Sequence, residues 1–250
     1  MSPFGTALRA KRRPESARKS MPGSSSPLES QMQSPSLPFF MDLVARTDES
    51  RRGFETNSKV LDIVANGLSV ERYRKLLLEL YHVVWHFNPV CAAAASRITD
   101  QHKQVRYFLY DHMQEEKGHE EWVLNDLAFV GVEAAAARKY NASLHMLALN
   151  GYNYWAADRL HPCSALGMLY ALEVIASVYG GPITAAITES LLLQDERGIS
   201  FISSHSTLDA EHMAELRVIL NTIQSDEAKR AIVDSVTFNF FHFTRVLEAV

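Results

Sequence analysis

A helical spacing of apolar residues runs from Pro38 almost to the C-terminus and limits the possible folds more than any other property of the chain. No stretch shows strand-like alternation bounded by hairpin turn signals, and no repeat of fixed period is present. Apolar residues make up 47% of the chain, enough for a sizeable core. The sequence therefore predicts a single all-α domain.

The apolar period and the helix-breaking residues divide this region into predicted helices. Residues 69–98 are predicted to be helical with a kink near His86, because Pro89 lies inside the segment. A second helix is predicted over residues 105–129, with Gly131 as a plausible stop. Three more helices are predicted further along the chain, over residues 162–182, 201–223 and 226–247.

Residues 1–38 differ from the rest, since they are rich in Ser, Pro and basic residues and poor in apolar ones. Such a segment cannot bury enough surface to offset its ordering entropy, so we expect a disordered tail followed by a helical domain over residues 39–250. The Arg and Ser content also fits an organelle transit peptide, although Glu15 and Glu29 are atypical of one. Translation from Met21 or Met32 is a further alternative.

Charge, hydropathy and cysteine content exclude several classes of protein. The net charge of -4 argues against a nucleic-acid binder, which normally carries a basic patch. No apolar run approaches the ~20 residues of a membrane span, so no membrane partner is expected. Two cysteines, Cys91 and Cys163, do not make a disulfide framework, and neither belongs to a Cys-x-x-Cys pair. A reducing, cytoplasmic location is therefore expected.

The first candidate metal ligands lie in the predicted helix 105–129. Side chains three or four residues apart share one face of a helix. Four candidates are predicted to share such a face: His112, Glu115, Glu116 and His119. A Glu-x-x-His pair is weak evidence by itself, because helices carry such pairs on their surfaces by chance.

Two other predicted helices carry further candidates. Glu173 stands in an apolar run, where a carboxylate should be buried and needs a partner or a metal. An arginine such as Arg159 can also be that partner. A third group, with spacings of four and then three, shares one helix face: His205, Asp209 and His212. A solvated helix face can have the same composition.

Imidazoles and carboxylates from three helices together indicate iron or manganese. Thiolate ligands are absent from these motifs, and the all-oxygen sites of Mg²⁺ or Ca²⁺ do not use so many histidines. Helix bundles hold such sites in their cores. Glu116, Glu173 and Asp209 bring three negative charges, which two Fe(II) ions would exceed by one. That surplus would accept an anionic substrate, so the charge count favours two metals over one.

These segments resemble the haem-oxygenase-like diiron oxidases and oxygenases, a family of iron-containing redox enzymes. The run 115–119, followed by Asn125-Asp126-Leu127 and Gly131, is similar to the first ligand helix of that family. Residues 68–74, leading to Tyr81 and Trp85, resemble the preceding helix. Residues 162–173 and 201–212 resemble the other two ligand helices. The resemblance covers about residues 40–247 and implies a seven-helix haem-oxygenase-like bundle.

The resemblance also implies a set of iron ligands. Five carry over directly: His119, Glu173, His205, Asp209 and His212. Many members place a Glu seven positions before the helix histidine, where this chain has His112. Others, including fatty-acid decarboxylases that form terminal alkenes, use a Glu three positions before it, which is Glu116 here. Glu116 is therefore the predicted sixth ligand, with His112 and Glu115 as substitutes, and Asp126 or Tyr170 are expected to orient the imidazoles.

The activity implied by the resemblance uses two Fe(II) per chain and O2 as co-substrate. The expected substrate is a small carboxylic acid, either an amino acid or a fatty acid, oxidised by C–H abstraction with C–C cleavage or by N-oxygenation. An external electron donor and a homodimer are further expectations. Five residues are predicted to bind substrate, although the aromatic ones can equally be core: Tyr81, Trp85, His86, Tyr179 and Arg159. Members that make para-aminobenzoate from their own tyrosine carry a lysine at the position of Ile183, so that activity is not expected.

Other functions on a helical fold have their own requirements. A thiaminase-like hydrolase needs a nucleophilic cysteine, for which Cys91 and Cys163 are the candidates. A ferritin-like diiron protein needs two Glu-x-x-His motifs, and one is present. Haem oxygenase needs a proximal histidine near the start of the domain, and none precedes His82. A non-catalytic helical scaffold would bind no metal tightly.

Overall fold

The structure, a computed structural model, describes residues 37–250, except for the side chains of residues 206–211. The predicted tail thus lies outside the described residues, apart from its last two positions. The described chain is helical, with no strand between residues 37 and 250. Its helices are α1 (Phe39–Arg46), α2 (Asp48–Glu55), α3 (Ser58–Asn66), α4 (Val70–Arg97), α5 (Lys103–Glu115), α6 (His119–Phe129), α7 (Ala134–Ala137), α8 (Leu144–Trp155), α9 (Ser164–Val174), α10 (Gly180–Ser190), α11 (Ser200–Leu220) and α12 (Asp226–Ala249).

Serine side chains begin three of the longer helices. Ser69, Ser143 and Ser225 each accept a hydrogen bond from the backbone N–H three residues further on, at the starts of α4, α8 and α12. Such a cap satisfies a backbone donor that has no partner within the helix. The predicted bounds of α4 and α12 agree with the structure to within two residues, and Pro89 lies inside α4.

The single helix predicted over residues 105–129 was wrong, because the chain turns between α5 and α6. Gly118 has a φ of 93°, a conformation that side-chain-bearing residues avoid, and it begins α6. Glu116 caps the C-terminus of α5. The turn therefore separates the ligand candidates: His112 lies on α5 and His119 opens α6.

The helix predicted to end at residues 180–182 instead continues to Ser190. A π-helical segment, Ile175–Tyr179, joins α9 to α10, and Pro182 lies in the first turn of α10. Proline is tolerated there because a first turn needs no internal N–H partner. The combined run Ser164–Ser190 is long and apolar enough to cross a membrane by length and composition. However, 61% of its most apolar stretch is buried inside the protein, as in a core helix.

Helix α9 lies at the centre of the bundle, packed on α12, α11, α8 and α4. All of its residues except Leu172 are buried. Gly167 allows α12 to approach closely, because a Cβ there would lie 2.3 Å from the Ile232 carbonyl oxygen and 2.7 Å from Ser235 Cβ. Glu173 thus enters the interior on a closely packed helix. Leu37–Val250 form one compact unit, which confirms the predicted single all-α domain.

Candidate metal centre

The structure brings six of the eight ligand candidates together in two adjoining groups. The first ligand group comprises Glu116, His119 and His205; the second ligand group comprises His112, Glu116, Glu173 and His212. Within each group, one potential ligand atom from every residue lies within 4.8 Å of the others. The side chain of Asp209, predicted between His205 and His212 on α11, lies outside the described residues.

The first ligand group surrounds a single point with three potential ligand atoms. Glu116 Oε2 lies 2.7 Å from His119 Nδ1, which in turn lies 3.2 Å from His205 Nε2. His205 Nε2 and Glu116 Oε2 are 3.7 Å apart. A metal held at about 2.0–2.2 Å from each ligand spaces those ligands about 3 Å apart, so the observed separations fit one ion.

The backbone of α11 orients His205 towards this point. His205 Nδ1 lies 2.8 Å from the Phe201 carbonyl oxygen. A carbonyl oxygen accepts hydrogen bonds only, so Nδ1 carries the proton and Nε2 directs its lone pair at the group. The His119 ring stacks on Trp122 with centroids 4.0 Å apart, which fixes the second imidazole.

Asp126 holds the start of α11 rather than an imidazole. Its carboxylate accepts hydrogen bonds from the Phe201 N–H at 2.8 Å, the Ser200 N–H at 3.0 Å and the Ser200 hydroxyl at 2.8 Å. Burial raises the pKa of Asp126 above its usual value, although these hydrogen bonds oppose the shift. The other residue expected to orient imidazoles, Tyr170, packs edge-on against Phe40.

The second ligand group is built around Glu173. Its Oε1 lies 3.3 Å from His212 Nδ1 and 3.7 Å from His112 Nε2. Glu116 Oε1 lies 3.9 Å from the same His212 nitrogen. Glu116 therefore belongs to both groups, with Oε2 in the first and Oε1 facing the second.

Both ring nitrogens of His112 are buried without a hydrogen-bond partner among the described residues. Burial lowers the pKa of His112 despite the nearby Glu173 and Glu116 carboxylates, so the imidazole is kept neutral. Leaving a buried polar atom unpaired costs free energy. A neutral buried imidazole with unused nitrogens, beside two carboxylates, has the form of a metal ligand.

The sequence offered His112 as a substitute for Glu116. In the structure, both side chains belong to the second ligand group. The turn at Gly118 lets α5 contribute both side chains, while His119 approaches from α6. Glu115, the other predicted substitute, lies at the edge of the second group with 47% of its side chain exposed. Its Oε2 is 3.4 Å from His212 Nε2, so it contacts a group member without belonging to the group.

The negative charges of the carboxylates in the two ligand groups also favour bound cations. Burial alone would raise the pKa of Glu116, but the neighbouring imidazoles of His119 and His205 outweigh it and lower the pKa. Among the described residues, the ion-pair contacts of Glu116 and Glu173 are all with histidines. By contrast, the buried Glu79 carboxylate accepts hydrogen bonds from Tyr140 and Ser143. Two buried carboxylates facing imidazoles form a donor set that fits iron, since bound cations would neutralise their charge.

An apolar cavity adjoins both groups, and Glu116, Glu173 and His205 form its polar end. The rest of its wall comes from α4, from the α9–α10 run and from α11 and α12. The lining residues there are Leu76, Leu80, Val83, Val84, Phe87, Leu172, Ile175, Ala176, Gly180, Ile183, Phe201, Ile202, Phe243 and Leu247. No Lys or Arg lines it among the described residues.

The five residues predicted to bind substrate do not line this cavity: Tyr81, Trp85, His86, Tyr179 and Arg159. Helix α4 turns Leu80 and Val84 to the cavity, so the next residue in each case points about 100° away. Tyr81 and Trp85 accordingly stack on each other outside it, with ring centroids 6.2 Å apart. Substrate binding by these five residues stays a prediction, and the apolar cavity is a separate candidate pocket.

The other members of that set have partners elsewhere. His86 Nδ1 lies 3.1 Å from the Tyr154 hydroxyl, and the Tyr179 hydroxyl donates to Glu55 at 2.5 Å. Arg159 is 72% exposed and pairs with its neighbour Asp158 at 2.7 Å. Arg159 is therefore neither a cavity residue nor the partner of Glu173.

Solved structures share this fold at low sequence identity. A domain of unknown function with a heme oxygenase-like fold from Shewanella denitrificans OS217 is 21% identical, with a TM-score of 0.76 over 86% of this chain and 92% of that one. A TenA homolog from Pseudomonas syringae pv. tomato is 17% identical, with a TM-score of 0.73 over 90% and 96%. Heme oxygenase-1 from the cyanobacterium Synechocystis, in complex with heme, is 16% identical, with a TM-score of 0.69 over 85% and 92%. The chain thus has the haem-oxygenase-like fold.

No curated protein matches the sequence. A family model does match, over residues 74–238, about two thirds of the chain. That span contains every residue of both ligand groups. The chain therefore belongs to the family described as iron-containing redox enzymes.

Proposed function

We propose that this protein is a non-haem diiron enzyme that uses O2 to oxidise a carboxylic acid with an apolar chain. The observation that carries the proposal is the position of Glu116, whose two carboxylate oxygens face two separate sets of ligand atoms. A carboxylate in this position could hold one metal with each oxygen. A single metal would leave one set of buried imidazoles unused.

The two groups divide the ligands between the irons. His119 and His205 would hold one iron, while His112, Glu173 and His212 would hold the other. Glu116 would contribute one oxygen to each. Asp209, assigned from the sequence motif, supplies a further carboxylate on α11. Two Fe(II) ions bound here would supply the reducing electrons for O2 that C–H oxidation requires.

The chain's own groups prepare the site for that chemistry. Packed helices exclude water, and the Phe201 carbonyl and Trp122 fix two of the imidazoles. Glu115 is half exposed and lies 3.4 Å from His212 Nε2. This contact holds His212 with Nδ1 towards Glu173, and it gives protons a short path between solvent and the second ligand group.

The cavity favours a fatty acid over an amino acid. Its wall is apolar, and among the described residues its only charged or titratable members are Glu116, Glu173 and His205. An α-ammonium group would have no dedicated acceptor outside the ligand groups. An alkyl chain gains about 0.8 kcal/mol for each methylene that it buries. The carboxylate head would then lie at the metal end, where two bound Fe(II) ions would exceed the charge of Glu116, Glu173 and Asp209 by one.

Anaerobic reconstitution with Fe(II) tests the proposal. We expect about two irons per wild-type chain, and consumption of O2 that increases when medium-chain fatty acids are added. Glu116→Gln removes the negative charge that belongs to both ligand groups, and it should reduce bound iron to less than one per chain. Glu121→Gln removes an exposed carboxylate on α6 that lies outside both ligand groups, so it is the matched control and should retain both irons.

The opposite results would overturn the proposal. Wild-type protein that binds no iron, or Glu116→Gln protein that keeps two irons, contradicts the bridging role. Two bound irons with no O2 consumption beside any carboxylic acid would retain the centre and reject the substrate class.

The alternative of a metal-free hydrolase draws support from the TenA-like fold neighbours. The thiols oppose it. Burial raises the pKa of Cys91, with Glu116 adding to the shift, and raises the pKa of Cys163 to about 12. Neither lines the cavity, and a nucleophile must be both reachable and ionisable. Loss of a hydrolytic activity on thiol alkylation would favour this alternative.

Four further proposals accompany the proposed chemistry. The two free, buried thiols fit a reducing compartment such as the cytoplasm. An external electron donor would return the irons to Fe(II) after turnover, and a small-molecule acid is the partner. A homodimer remains a proposal that sedimentation would test.

A further inference from the structure

A third cluster of potential metal ligands lies outside both ligand groups. It comprises His102, His161 and Cys163, with one potential ligand atom from each within 4.8 Å of the others. His102 ends the short turn Asp100–His102 before α5, and the other two flank Pro162 just before α9. Cys163 is ten residues before Glu173, a distance of about 15 Å along the helix. The cluster is therefore separate from the candidate diiron centre.

We propose that His102, His161 and Cys163 form a zinc site with a water molecule as the fourth ligand. One thiolate and two imidazoles suit Zn²⁺, which prefers N and S ligands in tetrahedral geometry. Zn–N bonds of about 2.0–2.1 Å and a Zn–S bond of about 2.3 Å separate the ligand atoms by about 3.3–3.7 Å. The ligand atoms of the three side chains already lie within 4.8 Å of one another, so a small closure would bring them to these separations.

The cluster is partly organised before any metal binds. The His102 and His161 rings lie edge to face, with centroids 5.6 Å apart. Burial lowers the pKa of both imidazoles, which keeps them in the neutral form that binds metal. His161 is extended and Pro162 follows it, so the backbone between the two ligands is stiff.

One hydrogen bond competes with the metal. The Cys163 N–H donates to His161 Nδ1 at 3.2 Å, the long end of the usual range. Zinc at Nδ1 replaces this weak bond and leaves the ring proton on the other nitrogen. The Cys163 thiol loses its proton to solvent as the Zn–S bond forms, so no oxidant or reductant is needed.

A nucleophilic role for Cys163 fits the structure less well. The residue is completely buried, and its thiol is held in the protonated form. Zn²⁺ ionises a coordinating thiol outright, which makes a buried and otherwise inert cysteine useful as a ligand. The site would tie the α4–α5 connection to the start of α9 and would keep one coordination position for water.

Cobalt(II) is the probe for this site, because thiolate coordination gives an intense charge-transfer absorption that N/O ligands lack. Metal-free full-length protein is titrated with Co²⁺ and then with Zn²⁺. We expect one thiolate–cobalt band per chain, abolished by Zn²⁺. Cys163→Ser should lose the band. Cys91→Ala, which removes the cysteine near Glu116, should keep it.

His102→Gln is a second variant that should fold even if Cys163→Ser does not, because His102 is only partly buried. It should weaken Co²⁺ binding at least ten-fold while the far-ultraviolet circular dichroism stays unchanged. The proposal is overturned if wild-type protein gives no thiolate band, if Cys163→Ser retains it, or if Cys91→Ala abolishes it. The diiron proposal is independent, since its ligand groups contain no cysteine.

Discussion

His119 Nδ1 lies 3.2 Å from His205 Nε2, with the Glu116 carboxylate 2.7 Å from the first nitrogen. His205 donates its other ring proton to the Phe201 carbonyl oxygen, so its Nε2 is an acceptor. Without a metal, a proton on His119 Nδ1 has to lie between the two acceptors. A cation in the same place satisfies all three groups at once, and the geometry is therefore that of a metal site.

The first prediction concerns Asp126, which holds the start of the helix that carries His205. In Asp126→Asn, the amide NH2 would face one of the N–H donors that the carboxylate now accepts. We expect a loss of about 1–2 kcal/mol in unfolding free energy from the lost cap. We also expect weaker iron binding, because the first turn of α11 positions the imidazole. Urea denaturation and iron titration measure the two effects.

Asp195→Asn is the control for this variant. Asp195 also accepts a hydrogen bond from a backbone N–H two residues on, but in an exposed loop. It should leave both stability and iron binding unchanged. Equal iron affinity in Asp126→Asn and the wild type would show that the cap does not position His205.

The second prediction separates metal binding from stability at His112. This imidazole packs between Phe87 and Phe108, and neither nitrogen has a hydrogen-bond partner among the described residues. In His112→Leu, an apolar side chain of similar size removes the unpaired polar atoms. Without iron, the variant should be more stable than the wild type by about 1–3 kcal/mol. Bound iron should fall from about two to about one per chain.

His86→Leu is the matched control for that experiment, because His86 lies on α4 outside both ligand groups and contacts the Tyr154 hydroxyl. It should retain both irons and gain no stability. If metal-free His112→Leu protein is instead less stable than the wild type, His112 has a structural role of its own.

Sequence reasoning identified the ligand residue types but not how they are grouped. The apolar period and the helix-breaking residues are local signals, and they predicted the bounds of α4 and α12 to within two residues. The turn at Gly118 was missed because the apolar period of residues 105–129 is continuous, and one glycine is tolerated within a helix. The positive φ of Gly118 marks the turn, but a backbone angle can be read only from the folded chain. The spacing of four already predicted His112 beside Glu116, but the division of the candidates into two groups that share Glu116 cannot be derived without that turn.

The lining of the apolar cavity could not be predicted from the sequence, for a different reason. Apolar residues occur on most sides of helix α4, so their spacing in the sequence does not show which of them face the cavity. Packing on α9 and α12 turns Leu80 and Val84 to the cavity and leaves Trp85 half exposed. The prediction chose mostly aromatic residues near the ligand motifs, whereas most residues that line the cavity are aliphatic.

The third prediction is a pH dependence of stability in the metal-free protein. Burial lowers the pKa of His86, and the neighbouring His82 adds to the shift. The folded chain therefore keeps His86 neutral, while the unfolded chain takes up a proton below about pH 6.5. Stability should be complete above about pH 6.5 and should be lost as the pH falls towards the lowered folded pKa. His102, His161 and His242 shift in the same direction and steepen the loss.

His86→Gln isolates the contribution of this residue. Unfolding free energies measured with chelator between pH 7.5 and 5 should fall less steeply in the variant than in the wild type. The two slopes should agree above pH 7, where the histidine is neutral in both states. Identical slopes throughout the range would show that His86 titrates alike in the folded and unfolded chains.

The last prediction tests the cavity as the site of the alkyl chain, and it depends on the proposed oxidation. Ala176 lines the cavity from the π-helical segment that follows Glu173. In Ala176→Phe, the larger ring would occupy the space that the methylenes need. Oxidation of medium-chain acids should fall at least ten-fold, mainly through a raised KM, while shorter acids are affected less and iron stays at about two per chain. Ala185→Phe, an exposed position on α10, should change neither value. Equal loss for short and long acids would place the alkyl chain elsewhere, whereas loss of iron would show that the ring had displaced Glu173.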